Sequence, residues 1–380
     1  MDEKQNITYV FLEGRTQRLK QNGPNDFFYF YNFLNKDKNI LNLIESKEIE
    51  IGYENFYLHF FDKVLRKLTK LSIHSHKFLN KPNKKIINKT DTLILTNESV
   101  GFSLLPYLLF AKIFKKIKVS IFIMGSFDKV LKFGILSKLY LSIMLKVYEN
   151  FIFLGKGELS YAKLNFPKYR NKFHYLPFTV DQTFWKKSNS YKTEDRNKKK
   201  KILFVGNDLN RDYSFLIDLA SSLENLDFTI VSNQVYEVPK KLLNVEHFKS
   251  DWKNNRVSDE QIRELYEKSY ISIIPLIETL QPSGQSVALQ SMSMGLPVLI
   301  TKTEGFWDFD CFKNNENILF LEKNSIDLWT GVINKVIDDV KLRELIVANS
   351  KKVLSTELSQ KNIFRRFLKI IQLDNDIKSL

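Results

Sequence analysis

The sequence of 380 residues is poor in cysteine and has no long apolar run. Its single cysteine, Cys311, excludes a disulfide within the chain and favours a reducing compartment. The longest apolar run, residues 104–114, is interrupted by Pro106 and Lys112 and falls well short of the roughly 20 residues that span a membrane. The first residues also lack the basic and apolar segments of a signal peptide. We therefore expect a cytoplasmic protein, either soluble or peripheral on the inner face of the membrane.

Histidine is scarce as well. The five histidines and the lone cysteine show no spacing typical of metal ligands, so we expect no metal and no cofactor. The sequence also lacks an internal repeat of solenoid period. By contrast, 43% of the residues are hydrophobic and 31 are phenylalanine, which indicates a globular chain with large buried cores. Its length is sufficient for two domains.

Basic residues exceed acidic ones, and the whole excess lies in the first half of the chain. Residues 1–190 contain 31 Lys and Arg against 16 Asp and Glu, whereas residues 191–380 contain 27 of each kind. A basic half attracts anions such as nucleic acid, anionic lipid or an acidic glycan. Because no nucleic-acid-binding motif accompanies the charge, we expect no nucleic-acid partner.

Short apolar segments alternate with amphipathic ones throughout the second half. The first strand is predicted at Lys201–Gly206 and the first helix at Tyr213–Leu223, and Ser258 with Gln261 has the form of a capping box. The first half shows the same alternation less clearly. We predict an α/β protein of two doubly wound, Rossmann-like domains that face a central cleft. The domains are expected at 1–185 and 201–357, joined by a polar linker at 186–200.

The segment 281–298 predicts an anion-binding site. A short apolar strand precedes it, and Gly284 lies at the start of a helix between Ser283 and Gln285. The first backbone N–H groups of a helix lack intrahelical partners and carry partial positive charge. Glycine lets a ligand approach the backbone closely. A strand, a glycine turn and a helix start in this order favour phosphate.

The order of these features resembles that of glycosyltransferases with the GT-B fold, and within them glycosyltransferase family 4. The resemblance covers about residues 90–370 and is strongest at 200–310. It rests on four segments: Phe204–Asp212, Val257–Gln261, Gly295–Val298 and His174–Phe184. It implies metal-independent transfer of a sugar from a nucleotide-sugar to a glycan or lipid-linked acceptor, with the acceptor in the first domain and the donor in the second. It also implies that the C-terminal helix, residues 358–380, packs back on the first domain.

For the donor, the resemblance implies that the pyrophosphate binds at Ser283, Gly284 and Gln285. Arg211 stands where the family places a basic residue on that pyrophosphate, and a guanidinium there can offset the charge of the leaving group. Gly206 and Asn207 belong to the same loop, and Gly206 allows it to approach the donor.

The sequence departs from the family at its pair of glutamates, which are eight positions apart. Gln290 stands at the second position, where an amide can still bond the ribose hydroxyls. Pro282 stands at the first position, so Glu278 is the nearest carboxylate for the sugar and the second catalytic candidate after Arg211. The identity of the donor and the choice between retention and inversion stay open, with retention favoured by the resemblance.

Two loops of the first half are candidates for acceptor binding. Glu13, Gly14 and Arg15 follow the first predicted strand, where GT-B enzymes have a glycine loop that faces the cleft. Ser126 and Asp128 follow a later strand, where the family usually has a histidine. We expect these five residues to contact the acceptor.

The segment 56–71 has two interpretations. At helical spacing it presents an apolar stripe of Phe60, Val64, Leu68 and Leu71 beside a cationic face of Lys63, Arg66, Lys67 and Lys70. This pattern is typical of a helix that lies on an anionic membrane, and the basic segment 112–118 would add to the contact. It is also the pattern of a surface helix whose apolar side faces the core.

The sequence therefore predicts a glycosyltransferase of cell-surface polysaccharide or glycolipid synthesis. Two alternatives stay open. The first is a nucleotide-sugar epimerase of the same fold, and the second is a catalytically silent scaffold that binds a glycan or a lipid.

Overall fold

The computed structural model describes residues 4–21, 23–36, 38–47, 53–188, 199–235, 237–250 and 257–373, with the backbone alone at 53–55. The chain divides into two compact units. The first unit contains residues 1–22, 28–177 and 363–380, and the second contains residues 23–27 and 178–362. The division after Pro177 comes earlier than the linker expected at 186–200, of which residues 189–198 lie outside the described part.

The first unit is built on six parallel strands in the order β2-β1-β3-β4-β5-β6. Its strands are β1 (Gln5–Phe11), β2 (Asn39–Glu45), β3 (Thr92–Leu95), β4 (Lys118–Ile123), β5 (Asn150–Phe153) and β6 (Phe173–Tyr175). The α-helices between them are α1 (Arg15–Leu19), α2 (Tyr53–Thr69), α3 (Lys81–Lys89), α4 (Glu98–Phe114), α5 (Phe127–Lys132), α6 (Ile135–Val147) and α7 (Lys156–Asn165).

The central strands of this sheet are buried along most of their length, as in a parallel sheet covered on both faces. A glycine lies where α4 packs on β4. A Cβ atom at Gly101 would lie 2.2 Å from Cδ1 of Ile121, so a larger residue there would force the Ile121 side chain to move.

The second unit contains six parallel strands in the order β12-β11-β10-β7-β8-β9. They are β7 (Lys201–Val205), β8 (Asp227–Val231), β9 (Val245–Phe248), β10 (Ile271–Ile274), β11 (Val298–Thr301) and β12 (Leu319–Leu321). The helices are α8 (Tyr213–Ser222), α9 (Asp259–Glu267), α10 (Gln285–Ser293), α11 (Ile326–Asp338) and α12 (Val340–Ser355). The predicted fold class, two doubly wound α/β units with parallel sheets, is confirmed.

A last helix, α13 (Gln360–Ile371), contributes its apolar face to the first unit. The rings of Phe364 and Phe367 lie 5.5 and 5.3 Å from that of Phe30, and Phe367 stacks 6.0 Å from Phe122. Residues 374–380 of the expected C-terminal helix lie outside the described part. None of the helices in the described ranges is long and apolar enough to cross a membrane.

Local signals predicted the elements of the second unit well. The capping box at α9 is present, with Ser258 Oγ accepting from Gln261 N at 3.2 Å and Gln261 Oε1 accepting from Ser258 N at 2.8 Å. The strands β2 and β9 were not predicted. Both lie at sheet edges, where partial exposure replaces the continuous apolar run of a central strand.

Candidate functional site

The strand order of the second sheet reverses between β7 and β10. The chain proceeds from β7 to β8 and β9 on one side, and from β10 to β11 and β12 on the other. At such a switch point the loops after the two central strands diverge and leave a crevice at their carboxyl ends, where ligands bind. The loops concerned are residues 206–212 and 275–284, and these contain most of the predicted donor residues.

Arg211 lies at this point and is buried, with 3% of its side chain exposed. Its backbone bridges to Leu276, which joins the two loops. Nε lies 3.0 Å from Asp208 Oδ2, but neither Nε nor Nη1 has a hydrogen-bond partner among the residues that the structure describes. Buried polar groups normally have partners, so a buried guanidinium with unused donors indicates a site for an anion.

Two glycines make room for this guanidinium. A Cβ atom at Gly206 would lie 2.8 Å from Arg211 Nε, and one at Gly284 would lie 2.8 Å from Arg211 Nη1. Gly284 also has φ of +81°, a conformation that side-chain-bearing residues rarely adopt. The structure thus brings together three of the predicted residues, Gly206, Arg211 and Gly284, at the end of the sheet.

The start of α10 adds further donors at this place. Gly284 precedes the helix and has no side chain to cap it. The first N–H groups of a helix have no intrahelical acceptor. Ser283 and Gln285 are buried on either side. The partial positive charge of the helix start and the charge of Arg211 both favour an anion here.

Asn210 positions Ser283, one of the predicted donor residues. Asn210 itself was not predicted from the sequence. Its Nδ2 donates to Ser283 Oγ at 2.8 Å and to Gln281 Oε1 at 2.9 Å. Because Ser283 Oγ accepts from Asn210, its own proton is available to a ligand. The available signal was an asparagine in the turn after β7, a residue type that hydrogen-bonds locally in turns.

Asn207 holds two loops of the protein together. Its Nδ2 donates to Ser250 O at 2.8 Å, and its Oδ1 accepts from Asn233 N at 2.6 Å. These bonds fix the ends of β8 and β9 beside the loop after β7. Contact of Asn207 with the donor stays a prediction.

Gln290 is buried in a polar network of the second unit. Its Nε2 donates to Asp26 Oδ2 at 2.9 Å, and its Oε1 accepts from the Tyr266 hydroxyl at 3.3 Å. Since both ends of the amide have partners, contact with the ribose stays a prediction and would require these bonds to be exchanged.

Asp26 is the centre of that network. Oδ2 also accepts from Trp185 Nε1 at 2.6 Å, and Oδ1 accepts from Asp181 N at 2.5 Å. Burial raises the pKa of the Asp26 carboxyl to about 7, although these hydrogen bonds act in the opposite direction. A carboxyl group that titrates near neutrality therefore lies directly against Gln290.

Glu278 is exposed and is held by the backbone. Its Oε1 accepts from Glu304 N at 2.9 Å and from Thr279 N at 3.0 Å. Gly305, which was also not predicted from the sequence, allows residues 304–305 to pack against the loop of Glu278. A Cβ atom at Gly305 would lie 2.5 Å from the carbonyl carbon of Leu280. A role of Glu278 at the sugar stays a prediction.

The loop of Glu13, Gly14 and Arg15 follows β1, next to the point where the first sheet reverses between β1 and β3. Gly14 has φ of +98° and precedes α1. The carboxylate of Glu45 accepts from the backbone N–H groups of Arg15 and Thr16, so the start of this helix already has an anionic partner.

The segment of Ser126 and Asp128 follows β4, with Ser126 directly before α5 and Asp128 in its first turn, where Asp128 Oδ2 accepts from Lys132 Nζ at 2.9 Å. Two buried carboxyl groups hold its backbone: Glu98 accepts from Met124 N, and Glu158 accepts from Phe127 N at 3.0 Å. Burial raises the pKa of both, and the charge of Glu98 raises the pKa of Glu158 further. Contact of either loop with an acceptor stays a prediction.

Across the described ranges, no group of three or more His, Cys, Asp or Glu side chains is arranged to hold a metal ion.

Comparison with known proteins finds similarity to glycosyltransferases. Residues 186–353 match the sequence profile of the family described as Glycosyl transferases group 1. A stretch of 117 residues is 26% identical to an uncharacterized glycosyltransferase of Methanocaldococcus jannaschii. That alignment covers 31% of this chain and spans only 29% of the relative.

The fold is shared over nearly the whole chain. A glycosyltransferase from Rickettsia africae superposes with a TM-score of 0.65 at 16% identity, covering 97% of this chain and 98% of that one. HepE of Anabaena, in complex with UDP and glucose, superposes with a TM-score of 0.61 at 12% identity, covering 99% of this chain and 100% of that one. The chain thus has the GT-B fold. Assignment to glycosyltransferase family 4 stays a prediction.

Proposed function

We propose that this protein transfers a sugar from a nucleotide-sugar to a glycan or lipid-linked acceptor. The observation that carries the proposal is the buried guanidinium of Arg211 beside Gly284 and the start of α10, whose Nε and Nη1 have no hydrogen-bond partner in the described part of the chain. A diphosphate fits this place because it is anionic and offers several acceptor oxygens. Binding of UDP by the similarly folded HepE of Anabaena supports a nucleotide donor.

In this proposal, Arg211 stabilises the negative charge that develops on the leaving diphosphate. Ser283 and Gln285 bind its oxygens together with the first N–H groups of α10, while Gly206 and Gly284 leave room for the phosphates and the guanidinium. Asn207 and Gln290 are the remaining donor contacts, and Glu278 is the contact of the sugar. No metal ion is required for these roles.

The reaction forms a bond from an acceptor oxygen to the anomeric carbon and breaks the bond from that carbon to the diphosphate. The acceptor proton must leave at the same time. With retention, which we favour, the leaving phosphate accepts it on the same face of the sugar. With inversion, a base must accept it, and no residue is assigned to that role.

The acceptor is proposed to bind the first unit at Glu13, Gly14, Arg15, Ser126 and Asp128. The net charge of +15 carried by residues 1–190 favours an anionic or lipid-linked acceptor. We further propose peripheral contact with an anionic membrane through residues 56–71 and 112–118, in cell-surface polysaccharide or glycolipid synthesis.

Isothermal titration with UDP, GDP and ADP tests the donor site. We expect at least one nucleotide to bind, and Arg211→Ala to weaken its binding at least tenfold. Lys302→Ala is the matched control, because Lys302 is an exposed cation of the same unit, paired with Glu322. Circular dichroism shows whether each variant is folded. Binding of no nucleotide, or equal binding by folded Arg211→Ala, would contradict the proposal.

An assay of product formation distinguishes the transferase from the epimerase and from the silent scaffold. A transferase makes a glycoside only when acceptor is present, whereas an epimerase converts the nucleotide-sugar alone. A silent scaffold binds nucleotide without turnover of any donor. The anomeric configuration of the product, determined by NMR, decides between retention and inversion.

A further inference from the structure

We infer that α2 and the beginning of α6 together form a face that docks on an anionic lipid bilayer. This inference adds α6 to the membrane contact proposed above. It rests on the exposed side chains of the first unit and is independent of the donor site.

The apolar stripe of α2 points to solvent. Four residues at intervals of four, Phe56, Phe60, Val64 and Leu68, expose 57%, 60%, 38% and 53% of their surface. The opposite side of the helix is anchored by the buried Asp62, which accepts from His76 N at 3.0 Å. The interpretation of Phe60, Val64 and Leu68 as core-facing is therefore wrong. Leu71, the remaining predicted stripe residue, lies beyond the helix and is buried.

The first turns of α6 continue this apolar surface. Ile135, Leu136 and Leu139 are exposed by 83%, 46% and 56%, whereas Leu141 and Met144 on the other side belong to the core. The helix packs against both α2 and α4, and its Tyr140 hydroxyl donates to Phe102 O at 2.6 Å. Exposed apolar residues thus lie on two helices that pack against each other. Exposed apolar residues grouped in this way mark an interaction site more often than single ones do.

The charges around this surface identify the partner. Lys63, Lys67 and Lys138 are exposed, and the only acidic residue within 56–69 and 135–147 is the buried Asp62. Apolar side chains beside lysines, without acidic residues, are typical of a surface that inserts into anionic lipid. A second copy of this chain fits poorly, because a twofold contact would bring like charges together without acids to pair them.

The position of this face suits a lipid-linked acceptor. Ser126 precedes α5 and Asp128 lies in its first turn, and α5 leads to the start of α6. Docking of α6 on a bilayer would therefore place the proposed acceptor residues Ser126 and Asp128 close to the lipid headgroups.

Vesicle co-sedimentation tests this inference with the full chain. We expect binding to equimolar phosphatidylglycerol and phosphatidylcholine to exceed binding to phosphatidylcholine alone, and to fall as salt screens the charges. Ile135→Ser with Leu139→Ser should lower the partition coefficient at least tenfold. The matched control is Leu164→Ser with Leu345→Ser, because these leucines are exposed by 74% and 50% in α7 and α12.

Equal partition of the α6 variant and the unchanged chain would overturn the inference, as would equal binding to both kinds of vesicle. A dimer in sedimentation velocity that the α6 variant dissociates would also overturn it in favour of self-association. Thermal unfolding and UDP titration of each variant show that it is folded and that its donor site is intact. Failure here is thereby distinguished from failure of the proposed function.

Discussion

The guanidinium of Arg211 occupies the space that a side chain at position 284 would need, with Nη1 2.8 Å from the ideal Cβ position of Gly284. The two residues belong to loops that follow adjacent strands, and neither can change without affecting the other. Their relationship gives the proposed donor site a precise and testable requirement for glycine.

Gly284→Ala should therefore weaken nucleotide binding at least tenfold in a titration. The added methyl group displaces the guanidinium and Ile274, and the backbone φ of +81° is unfavourable for alanine. Gly331→Ala is the control, because nothing lies within 4 Å of its Cβ position in α11. That change should leave binding intact and stabilise the helix by about 0.5–1 kcal/mol. Equal affinities for the two variants would contradict this arrangement.

Gln290→Glu should destabilise the protein by about 2 kcal/mol or more at pH 8, because it places a second carboxylate against Asp26 in a buried site. The loss should be smaller at pH 5, where Asp26 is protonated. Urea unfolding at both pH values measures this loss of unfolding free energy. Gln261→Glu serves as the control, since a negative charge at the start of α9 is favourable there. A loss for Gln290→Glu that does not depend on pH would argue against its contact with Asp26.

The fluorescence of Trp185 should titrate with a midpoint near pH 7, because its indole N–H bonds the Asp26 carboxyl. The difference spectrum between the unchanged chain and Trp185→Phe isolates this signal, and Asp26→Asn should abolish it. The pKa of Asp26 in the folded state exceeds the usual aspartate value of 3.8, so the folded state binds more protons between these two pH values. The contribution of Asp26 to stability is thus present at low pH and is lost as the pH rises through about 7. A midpoint near pH 4 would show that burial does not raise this pKa.

Glu158→Gln should be more stable than the unchanged chain at pH 8. Glutamine removes a buried charge, and its Oε1 can still accept from Phe127 N. Because burial raises the pKa of Glu158, its contribution to stability declines as the pH increases, and the substitution should flatten that decline. Glu158→Ala should instead cost about 1–3 kcal/mol, because it leaves Phe127 N without an acceptor. Free energies of unfolding measured across the pH range test both predictions. A glutamine variant less stable than the alanine variant would refute the role of Glu158 as the acceptor of the Phe127 N–H group.

The donor site was largely predictable because its signals are local. A glycine at a positive-φ turn, a helix start and an arginine in the loop after the first strand of the unit all appear as short patterns around 206–211 and 283–285. Parallel strands then bring these loops together at one edge of the sheet. Asn210 and Gly305 escaped prediction because their importance depends on contacts with segments more than twenty residues away.

The amino-acid sequence by itself determined the two α/β units, their parallel sheets and the order of residues around the anion site, because periodicity, caps and turns act over a few residues. Tertiary structure decided which side chains have partners. It paired Gln290 with Asp26 across 264 positions, and within the described ranges it left Nε and Nη1 of Arg211 without a hydrogen-bond partner. It also turned the apolar stripe of α2 away from the core. Burial depends on which elements pack together, and a helical pattern alone does not specify the neighbour that will cover it.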